Sequence, residues 1–404
     1  MWIMAGCLIL CYGPLPFSRC DPAPLPDESR KMTDPLLLTP GPLTTSDSVK
    51  RAMLRDWGSR DQGFIALTAR VRAALLRVAG ADPAESVYSC VPIQGSGTFA
   101  VEATIDTLVP REASLLVLAN GAYGERIAKI AERLRRQCKI YRTEETEPPA
   151  PANIDKLLQG DPALSHIVMV HCETTAGILN PLAEIAEVVR KHGRALIVDA
   201  MSSFGALPID VTQLGLTAVI ASSNKCMEGV PGMGFVVART DALRAAEGNA
   251  VSLSLDLADQ WQYMEKTGQW RFTPPTHVLA AFDQAVSEFE EEGGVEGRGR
   301  RYAENCRVLV DGMMALGFEP LLSHNLQAPI IVTFRTPADP NYEFERFYNA
   351  LRGRGYAIYP GKLTKADSFR IGCIGRIYPK DLKGAVAAVK AVVDEMGIKQ
   401  RGRA

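Results

Sequence analysis

Two charged residues that could carry out chemistry stand at the ends of two apolar runs of the chain. The run ALIV ends on Asp199, and the run LTAVIASS ends on Asn224 and Lys225, just before a glycine-rich turn. Apolar runs of this length, bounded by polar residues and glycine, are typical of buried strands in a parallel sheet. Ligands bind at the carboxyl ends of such strands, so we expect the acid and the lysine to face one crevice.

An acid and a lysine in one crevice suit a cofactor whose aldehyde forms a Schiff base with the lysine. Pyridoxal phosphate needs such a lysine, together with an acid that keeps its pyridine nitrogen protonated. Taken alone, a lysine after a strand is usually a solvated loop residue, and an aspartate there is often only a helix cap. A third element, one that could bind the phosphate, is needed to decide between these interpretations.

A candidate phosphate site lies upstream, in the turn GSGT at residues 95–98. The turn joins the predicted strand SVYSCVPIQ to the predicted helix FAVEATIDTLV. A Gly/Ser/Thr turn at a helix N-terminus leaves backbone N–H groups free, and the helix dipole favours an anion there. The turn matches neither GxxxxGKS nor GxGxxG, so it does not specify a nucleotide. The absence of a dinucleotide fingerprint disfavours the alternative of a nucleotide-binding reductase.

The elements that must position these residues alternate between strands and helices. ASLLVLAN precedes the helix ERIAKIAERLRRQ, and HIVMVHCETTAG predicts a strand that ends on Glu173, Thr174 and Thr175. This alternation predicts an α/β fold with a large, mostly parallel, doubly wound sheet. Near residue 291 the pattern changes to short strands between amphipathic helices. We therefore expect a large domain with an N-terminal arm over 32–290 and a small C-terminal α+β domain over 291–404.

Composition argues against several other classes of protein. The 404 residues carry 45 basic and 46 acidic side chains, so no excess of positive charge favours nucleic acid as a partner. The nine cysteines show no CxxC spacing, which indicates reduced thiols and a cytoplasmic enzyme rather than a disulfide framework. The five histidines show neither HExxH nor HxH spacing, so we expect no metal site.

The first 31 residues differ from the rest of the chain. MWIMAGCLILCYGPLPF has the length of the apolar region of a secretory signal, but no basic residues precede it. Proline and glycine interrupt the segment, and it is too short to span a membrane comfortably. The alternative is an upstream extension with Met32 as the true initiator, since sequence typical of a folded domain begins there. We expect residues 1–31 to be no part of the fold, and we expect no membrane partner.

Nine motifs occur in order along the chain: LLLTPGPLTTS, DWGSRD, PIQGSGTFAVEA, NGAYGER, HCETTAGILNP, VDAMSSFGA, SSNKCMEGVPG, QWRFTPPTH and FRIGCIG. Through these motifs, from Leu36 to Gly375, the chain resembles the fold-type I, class V pyridoxal-phosphate aminotransferases. Each motif is weak alone, but their occurrence together in this order is highly specific. Ala176 and Met233 depart from the family pattern, where we would expect Thr and Phe, and neither departure removes a catalytic group.

The resemblance implies roles for residues in these motifs. Lys225 would form the Schiff base with the cofactor, and Asp199 would pair with its pyridine nitrogen. The remaining implied contacts are to the phosphate (Ser96, Gly97, Thr98), to the ring (Tyr123), to the phenolic oxygen (Thr175) and to the lysine loop (Ser222, Asn224).

Two further residues are implied to act at the edges of the site. Thr273, in QWRFTPPTH, would reach the phosphate bound by a neighbouring subunit, which implies a homodimer with shared active sites. Arg370, in FRIGCIG, resembles the residue that binds the anionic end of the substrate. The alternative for Arg370 is an arginine on the surface of the small domain.

The motifs are most similar to those of class V members that act in phosphonate degradation, on 2-aminoethylphosphonate and pyruvate. The products would be phosphonoacetaldehyde and L-alanine, with Lys225 as general base and acid for the proton shift. Both substrates carry an anion, which suits the fixed guanidinium of Arg370. An alanine– or serine–glyoxylate aminotransferase is the alternative within the family, since it would share Lys225, Asp199 and Arg370.

Overall fold

The structure of the protein is a computed structural model that describes residues 34–361 and 364–402. The expectation that residues 1–31 are no part of the fold lies outside these described residues. From Pro35 onward the chain forms one compact unit. None of the helices in the described part is long and apolar enough to cross a membrane.

Strands and helices alternate through the first part of the chain, as the sequence predicts. Its elements are β1 (Leu36–Leu37), α1 (Asp47–Arg51), a short 3₁₀ helix (Ala52–Leu54), α2 (Gln62–Val78), β2 (Tyr88–Gln94), α3 (Gly97–Leu108), β3 (Ser114–Ala119), α4 (Ala122–Arg133), β4 (Gln137–Arg142), α5 (Pro151–Gly160), β5 (Leu164–Val170), β6 (Cys172–Glu173), β7 (Ile178–Leu179), α6 (Leu182–Lys191), β8 (Ala195–Asp199), α7 (Val211–Leu214), β9 (Ala218–Ser222) and β10 (Met233–Arg239).

Helices predominate after β10, and two of them had no counterpart in the sequence-based prediction. These two helices are α8 (Thr240–Ala245) and α9 (Leu257–Thr267). The remaining elements are α10 (Thr276–Glu291), α11 (Gly294–Ala315), β11 (Ile331–Arg335), α12 (Phe344–Arg352), β12 (Tyr356–Ala357), β13 (Tyr359–Pro360), β14 (Ser368–Gly372) and α13 (Pro379–Glu395).

Seven strands form the central sheet, in the order β2-β10-β9-β8-β5-β3-β4. The neighbours from β9 to β4 run parallel, whereas β10 runs antiparallel to both β2 and β9. Side chains of β3 alternate between the two faces of the sheet. Leu116 and Leu118 lie in one apolar core, and Leu115 and Val117 lie in the other. A sheet buried on both faces explains the continuous apolar runs in the sequence. The predicted large, mostly parallel α/β sheet is confirmed.

One strand is shorter than the sequence predicts. β5 ends at Val170, and the chain then enters the small hairpin of β6 and β7, in which Glu173 pairs with Ile178. Thr175 therefore lies in a turn rather than in a strand. The physical reason is the buried carboxylate of Glu173, because the turn supplies the backbone N–H of Thr175 to it at 3.0 Å.

A second sheet, in the order β11-β14-β13, shares a separate apolar core with α11, α12 and α13. Phe369 of β14 lies inside this core. Its ring centroid is 5.7 Å from that of Phe318, 5.8 Å from that of Phe334 and 5.3 Å from that of Phe347. The C-terminal part thus has its own core, and the division into domains at residue 290 stays a prediction.

The N-terminal arm pairs with the C-terminal part of the chain. β1 runs parallel to β12, and the backbone N–H of Leu36 donates to the carbonyl of Gly355 at 2.9 Å. Further along the arm, the carbonyl of Leu38 accepts the backbone N–H of Gly372 at 2.9 Å. These bonds hold the arm in place, so that Pro40 reaches the loop that follows β9.

Candidate active site

A cavity of about 560 Å³ lies at the carboxyl ends of the central strands. Asp199 is the last residue of β8, and Lys225 stands in the loop after β9, so the parallel arrangement of the two strands places both residues at one edge of the sheet. Eight of the eleven predicted site residues line this cavity: Ser96, Gly97, Thr98, Tyr123, Asp199, Ser222, Asn224 and Lys225.

Asp199 is a buried acid at the base of the cavity. Its side chain is 4% exposed, and its Oδ1 accepts the backbone N–H of Met201 at 2.9 Å. Burial raises the pKa of this carboxyl to about 6, because desolvation costs more than that hydrogen bond returns. The positive charges of Lys225 and Arg126 act to lower its pKa, but less than desolvation raises it. A cationic ligand group, such as a protonated pyridine nitrogen, would stabilise the ionised acid.

Lys225 is a buried amine whose environment favours the neutral form. Burial lowers the pKa of Lys225 to about 8, although the negative charge of Asp199 acts in the opposite direction. Its Nζ donates a hydrogen bond to the carbonyl of Pro40. A neutral amine is the nucleophile that attacks a carbonyl group, so a lowered pKa suits a lysine that forms a Schiff base near neutral pH.

The N-terminus of α3 forms a cradle that can hold a phosphate. Ser96 is the N-cap residue in an extended conformation, and no side chain of the described chain caps the helix. The backbone N–H groups of Gly97 and Thr98 therefore stay available to an anion. A Cβ atom at Gly97 would lie 2.4 Å from Sδ of Met201, so any larger residue here would require the end of the methionine side chain to move.

Ser222, the last residue of β9, also points to a ligand. Its hydroxyl lines the cavity and is buried, yet it has no hydrogen-bond partner within the described chain. Leaving a buried polar group without a partner costs on the order of 1–3 kcal/mol. A polar ligand in the cavity would remove that cost.

Three of the eleven predicted site residues do not line the cavity. Two of these three are Thr175 and Thr273. Thr175 is buried behind the cavity, where its hydroxyl donates to Oε1 of Glu173 at 2.6 Å and accepts the backbone N–H of Ala122 at 2.9 Å. Its hydroxyl is therefore already engaged within the protein. Thr273 is exposed in the loop before α10.

Arg370, the third of these residues, is a buried cation in β14. Only 2% of its surface is exposed, and burial lowers its pKa. Nη1 donates to the carbonyl of Thr174 at 2.8 Å, and Nη2 donates to the carbonyl of Pro360 at 2.9 Å. Within the described chain no carboxylate forms an ion pair with it. A buried guanidinium without a counter-ion favours the binding of an anion.

Two charged residues of the site were missed by the sequence-based prediction. Arg126 lines the cavity, with its guanidinium carbon 4.7 Å from the ring centroid of Tyr123 and Nη1 3.4 Å from Oγ1 of Thr98. The spacing of three residues in NGAYGER, which places Tyr123 and Arg126 on one face of α4, could have revealed it. Glu173 is fully buried and accepts the backbone N–H groups of Tyr123 and Gly124 at 3.1 and 3.2 Å. Nothing in the sequence beyond its motif signals that burial.

Comparison with known proteins shows which family has this site. The family model described as aminotransferase class V matches residues 51–364. The chain belongs to the class V aminotransferases. This class V aminotransferase is 56% identical, over 366 residues, to a protein of Burkholderia lata named 2-aminoethylphosphonate–pyruvate transaminase 2, and the match covers 91% of this chain and 96% of the relative. It is also 56% identical, over 364 residues, to the 2-aminoethylphosphonate–pyruvate transaminase of Pseudomonas aeruginosa, which covers 90% of this chain and 97% of that one.

Solved structures of other aminotransferases share the fold of this class V aminotransferase. The ureidoglycine–glyoxylate aminotransferase of Bacillus subtilis matches with a TM-score of 0.82 at 23% identity, over 92% of this chain and 96% of that one. The pyridoxamine–pyruvate aminotransferase of Mesorhizobium loti matches with a TM-score of 0.83 at 23% identity, over 92% and 95%. At such identity these matches show the fold alone, and they confirm the predicted fold-type I architecture.

Class V aminotransferases depend on pyridoxal 5'-phosphate, and the cofactor prediction is thereby confirmed. The residues of this chain fit that group. The N-terminus of α3, without a side-chain cap, offers donors to the phosphate. Burial raises the pKa of Asp199 to about 6, and the hydroxyl of Ser222 lacks a partner within the described chain. Lys225 stands in the same cavity as a buried amine with a lowered pKa.

Proposed function

We propose that this class V aminotransferase transfers the amino group of 2-aminoethylphosphonate to pyruvate, giving phosphonoacetaldehyde and L-alanine in the degradation of phosphonates. The observation that carries the proposal is the identity of more than half of the aligned residues with relatives named for this reaction, over nine-tenths of the chain. The anion-free guanidinium of Arg370 supports it, since both substrates carry an anionic group.

Pyridoxal phosphate supplies, when bound, an electrophilic aldehyde and a conjugated ring that draws electrons from the substrate. Nζ of Lys225 would hold the aldehyde group covalently in the resting enzyme. As a free amine it would take the proton from the substrate carbon that bears the amino group, and the resulting ammonium would donate the proton back. Its lowered pKa keeps part of the amine neutral near pH 8, as a general base requires. The buried carboxylate of Asp199 would hold a proton on the ring nitrogen, because opposite charges attract strongly where the acid is shielded from solvent.

The other residues of the site bind and orient. We assign the cofactor phosphate to the backbone N–H groups of Gly97 and Thr98, the side chains of Ser96 and Thr98, and the guanidinium of Arg126. Tyr123, which lines the cavity, would lie against the cofactor ring, and the guanidinium of Arg126 lies over the tyrosine ring at 4.7 Å. Ser222 and Asn224 would support the lysine loop. A bond from Thr175 to the phenolic oxygen of the cofactor would require the hydroxyl to turn away from Oε1 of Glu173.

Arg370 binds the phosphonate of one substrate and the carboxylate of the other. Its guanidinium is fixed by the carbonyls of Thr174 and Pro360, so its direction is set before the substrate arrives. Carbonyl dipoles neutralise a cation only in part, and a bound anion completes its coordination. One fixed guanidinium can serve the two substrates in turn, since each half-reaction handles one anion.

We propose that the enzyme is a homodimer with shared active sites. Phe272 is 49% exposed and Leu253 is 74% exposed, and the neighbouring Thr273 does not line the cavity of its own chain. Phe99 is a third exposed apolar side chain, and it stands at the cavity itself. A second copy that buries these apolar side chains would bring its Thr273 to the phosphate. Replacing Phe272 with aspartate should shift the sedimentation coefficient to that of a monomer.

We also propose the domain division at residue 290 and a cytoplasmic location. Glu292 and Gly293 separate α10 from α11, and Gly293 and the first residue of α11, Gly294, have positive φ angles of 97° and 66°. A boundary between those helices agrees with the separate apolar core of the C-terminal part.

All six cysteines in the described chain are free thiols, which supports a reducing compartment and hence the cytoplasmic location.

An amino-donor screen tests the proposed substrate. The purified holoenzyme is incubated with pyruvate and one donor at a time: 2-aminoethylphosphonate, 3-aminopropylphosphonate, L-serine or O-phosphoserine. L-Alanine formation is then measured. We expect the highest kcat/KM for 2-aminoethylphosphonate and no turnover by the Lys225→Ala variant. A second series uses glyoxylate as acceptor, with alanine or serine as donor, and measures glycine formation. A higher kcat/KM in that series would overturn the substrate assignment.

A further inference from the structure

One face of α11 connects the loop that carries Lys225 to the segment that follows Arg370. The face is made of positions three and four residues apart, which a helix places next to each other. Its polar members are Arg298, Arg301, Tyr302 and Asn305. Arg298, Tyr302 and Asn305 are fully buried.

Toward the lysine loop, this face bonds to the residues just after the lysine. The carbonyl of Cys226 accepts a hydrogen bond from Nη1 of Arg298. Oε1 of Glu228 accepts Nη2 of Arg301 and the hydroxyl of Tyr302, both at 2.6 Å. Glu228 is 3% exposed and has a φ angle of +57°, a left-handed conformation that needs support in a residue other than glycine. The face of α11 provides that support.

Toward the C-terminal sheet, the same side chains bond to the segment after β14. The hydroxyl of Tyr302 accepts the backbone N–H of Gly375 at 3.1 Å. Nη1 of Arg301 donates to the carbonyls of Gly375 and Ile377, at 2.6 and 3.0 Å. A single hydroxyl therefore joins Glu228 to Gly375, and Arg301 repeats that connection.

A close approach of main chains fixes α11 against a third segment. A Cβ atom at Gly299 would lie 2.4 Å from the carbonyl oxygen of Ala206, which belongs to the turn that follows β8. The helix can come this close only because residue 299 is glycine. α11 thus contacts the three segments that carry Asp199, Lys225 and Arg370.

The charges of the cluster balance. Glu292 accepts Nε of Arg298 at 2.7 Å and Nε of Arg301 at 2.6 Å, so two guanidinium groups face the two carboxylates of Glu292 and Glu228. A buried cluster of paired charges adds little net stability compared with an apolar core, because desolvation offsets the attraction. Its directional bonds do fix the geometry of the segments that they join.

We propose that Glu228, Arg298, Arg301 and Tyr302 are positioning residues for catalysis. They set the direction of the main chain at Lys225, and hence the place of Nζ relative to Asp199 and to the strand that holds Arg370. They contact neither cofactor nor substrate. The proposal rests on the proposed function at one point, which is the assignment of the proton transfer to Lys225.

The test compares the Tyr302→Phe holoenzyme with the wild type. Removing one hydroxyl breaks the connection between Glu228 and Gly375 through Tyr302, leaves the one through Arg301, and leaves the ring in place. We expect kcat to fall roughly 10- to 100-fold, the range that a small misplacement of a catalytic group produces. KM should change less than about twofold. The cofactor should remain fully bound, and the pH midpoint of its visible absorption band should shift, because that band reports the surroundings of Lys225.

The matched control is Tyr342→Phe. Tyr342 is partly buried and packs against the core of the C-terminal sheet, and its buried hydroxyl has no partner within the described chain. Loss of that hydroxyl should leave kcat and the absorption midpoint unchanged.

Two results would overturn the proposal. One is a Tyr302→Phe enzyme with a lower melting temperature but wild-type kcat and absorption midpoint. The other is an equal change of kcat and absorption midpoint in Tyr302→Phe and Tyr342→Phe. If Tyr302→Phe fails to fold, Glu228→Gln, which keeps the size of the side chain, decides by the same measurements. The absorption titration needs no substrate, so an error in the substrate assignment would leave its result intact.

Discussion

Nζ of Lys225 donates a hydrogen bond to the carbonyl of Pro40, a residue 185 positions earlier in the chain. The next residue, Gly41, has a φ angle of +128°, and a Cβ atom there would lie 2.6 Å from that Nζ. The N-terminal arm is therefore one wall of the space in which the lysine moves. The lysine side chain fits in this space because residue 41 is glycine and has no side chain.

Replacing Gly41 with alanine should slow the capture of pyridoxal phosphate by the apoenzyme. The added Cβ would crowd Cδ and Cε of Lys225 as well, at 2.8 and 2.9 Å, and alanine is strained at this φ angle. Stopped-flow absorbance of cofactor binding measures the rate. Gly248→Ala is the control, since Gly248 also has a positive φ angle, of +77°, but has no atom within 4 Å of its Cβ position. Equal rates in the two variants would contradict the prediction.

Reduction with borohydride should attach the cofactor to Lys225. The buried amine with a lowered pKa, in the cavity that also holds Asp199, is the basis of this expectation. Peptide mapping by mass spectrometry should find the added mass on the peptide that contains SSNKC. Label on any other lysine would refute the assignment of the Schiff base.

Replacing Asp199 with asparagine should have opposite effects on stability and on activity. The folded pKa of Asp199 is raised from 3.8 to about 6, so the folded protein binds more protons than the unfolded chain between these pH values. The contribution of protonated Asp199 to the free energy of unfolding is complete below about pH 4 and is lost as the pH rises through 6. Above pH 6 the buried charge costs the apoenzyme about 3 kcal/mol, at about 1.4 kcal/mol per pKa unit.

Urea unfolding of the two apoproteins at several pH values measures this cost. The Asp199→Asn apoprotein should be the more stable one at pH 8, and the difference should vanish near pH 4. The same substitution should lower kcat of the holoenzyme a hundredfold or more, on the order of 3 kcal/mol in the barrier, because the charge that holds the ring proton is gone. Near-normal turnover would mean that the acid only caps the turn at Met201.

Replacing Arg126 with glutamine should weaken the binding of pyridoxal phosphate about tenfold, because a charge-assisted bond to phosphate is lost. The dissociation constant can be measured by the quenching of protein fluorescence. Arg133→Gln is the control, because Arg133 is an exposed arginine of the same helix that does not line the cavity. An unchanged dissociation constant in Arg126→Gln would remove Arg126 from the phosphate site.

Replacing Arg370 with lysine should raise KM for both 2-aminoethylphosphonate and pyruvate. Lysine keeps the charge but cannot reproduce the planar fork that holds two carbonyls and an anion together. The cofactor spectrum should stay unchanged. Arg335→Lys, on the neighbouring strand β11, should leave both KM values as they are. A rise in KM for only one substrate would show that a different group binds the other anion.

The sequence was sufficient to predict the location of residues that directly follow a strand, because the end of that strand alone determines where they lie. Asp199 and Lys225 each follow an apolar run, and the parallel sheet brings such ends together without any further information. The glycine turn at residues 95–98 is local in the same sense, because a strand and a helix on either side define it.

Features that join distant segments could not be predicted from the sequence. The contact of Pro40 with Lys225 depends on the pairing of β1 with β12, and the support of Glu228 depends on the packing of α11. Neither leaves a periodic pattern in the chain. The antiparallel direction of β10 is a similar case, since its apolar run looks like those of its parallel neighbours.

The place of β10 in the sheet has a consequence for the order of folding. β2 ends in the phosphate turn, but its sheet neighbour β10 is made only after seven other strands of the chain. The backbone N–H of Gly95 donates to the carbonyl of Gly232, just before β10, at 3.0 Å. Pairing between such distant segments is slow, because a long loop must close first. The phosphate turn is thus completed late, so binding of pyridoxal phosphate should report on a chain that has finished folding. During synthesis on the ribosome, we expect β2 to wait unpaired on one edge until β10 has emerged.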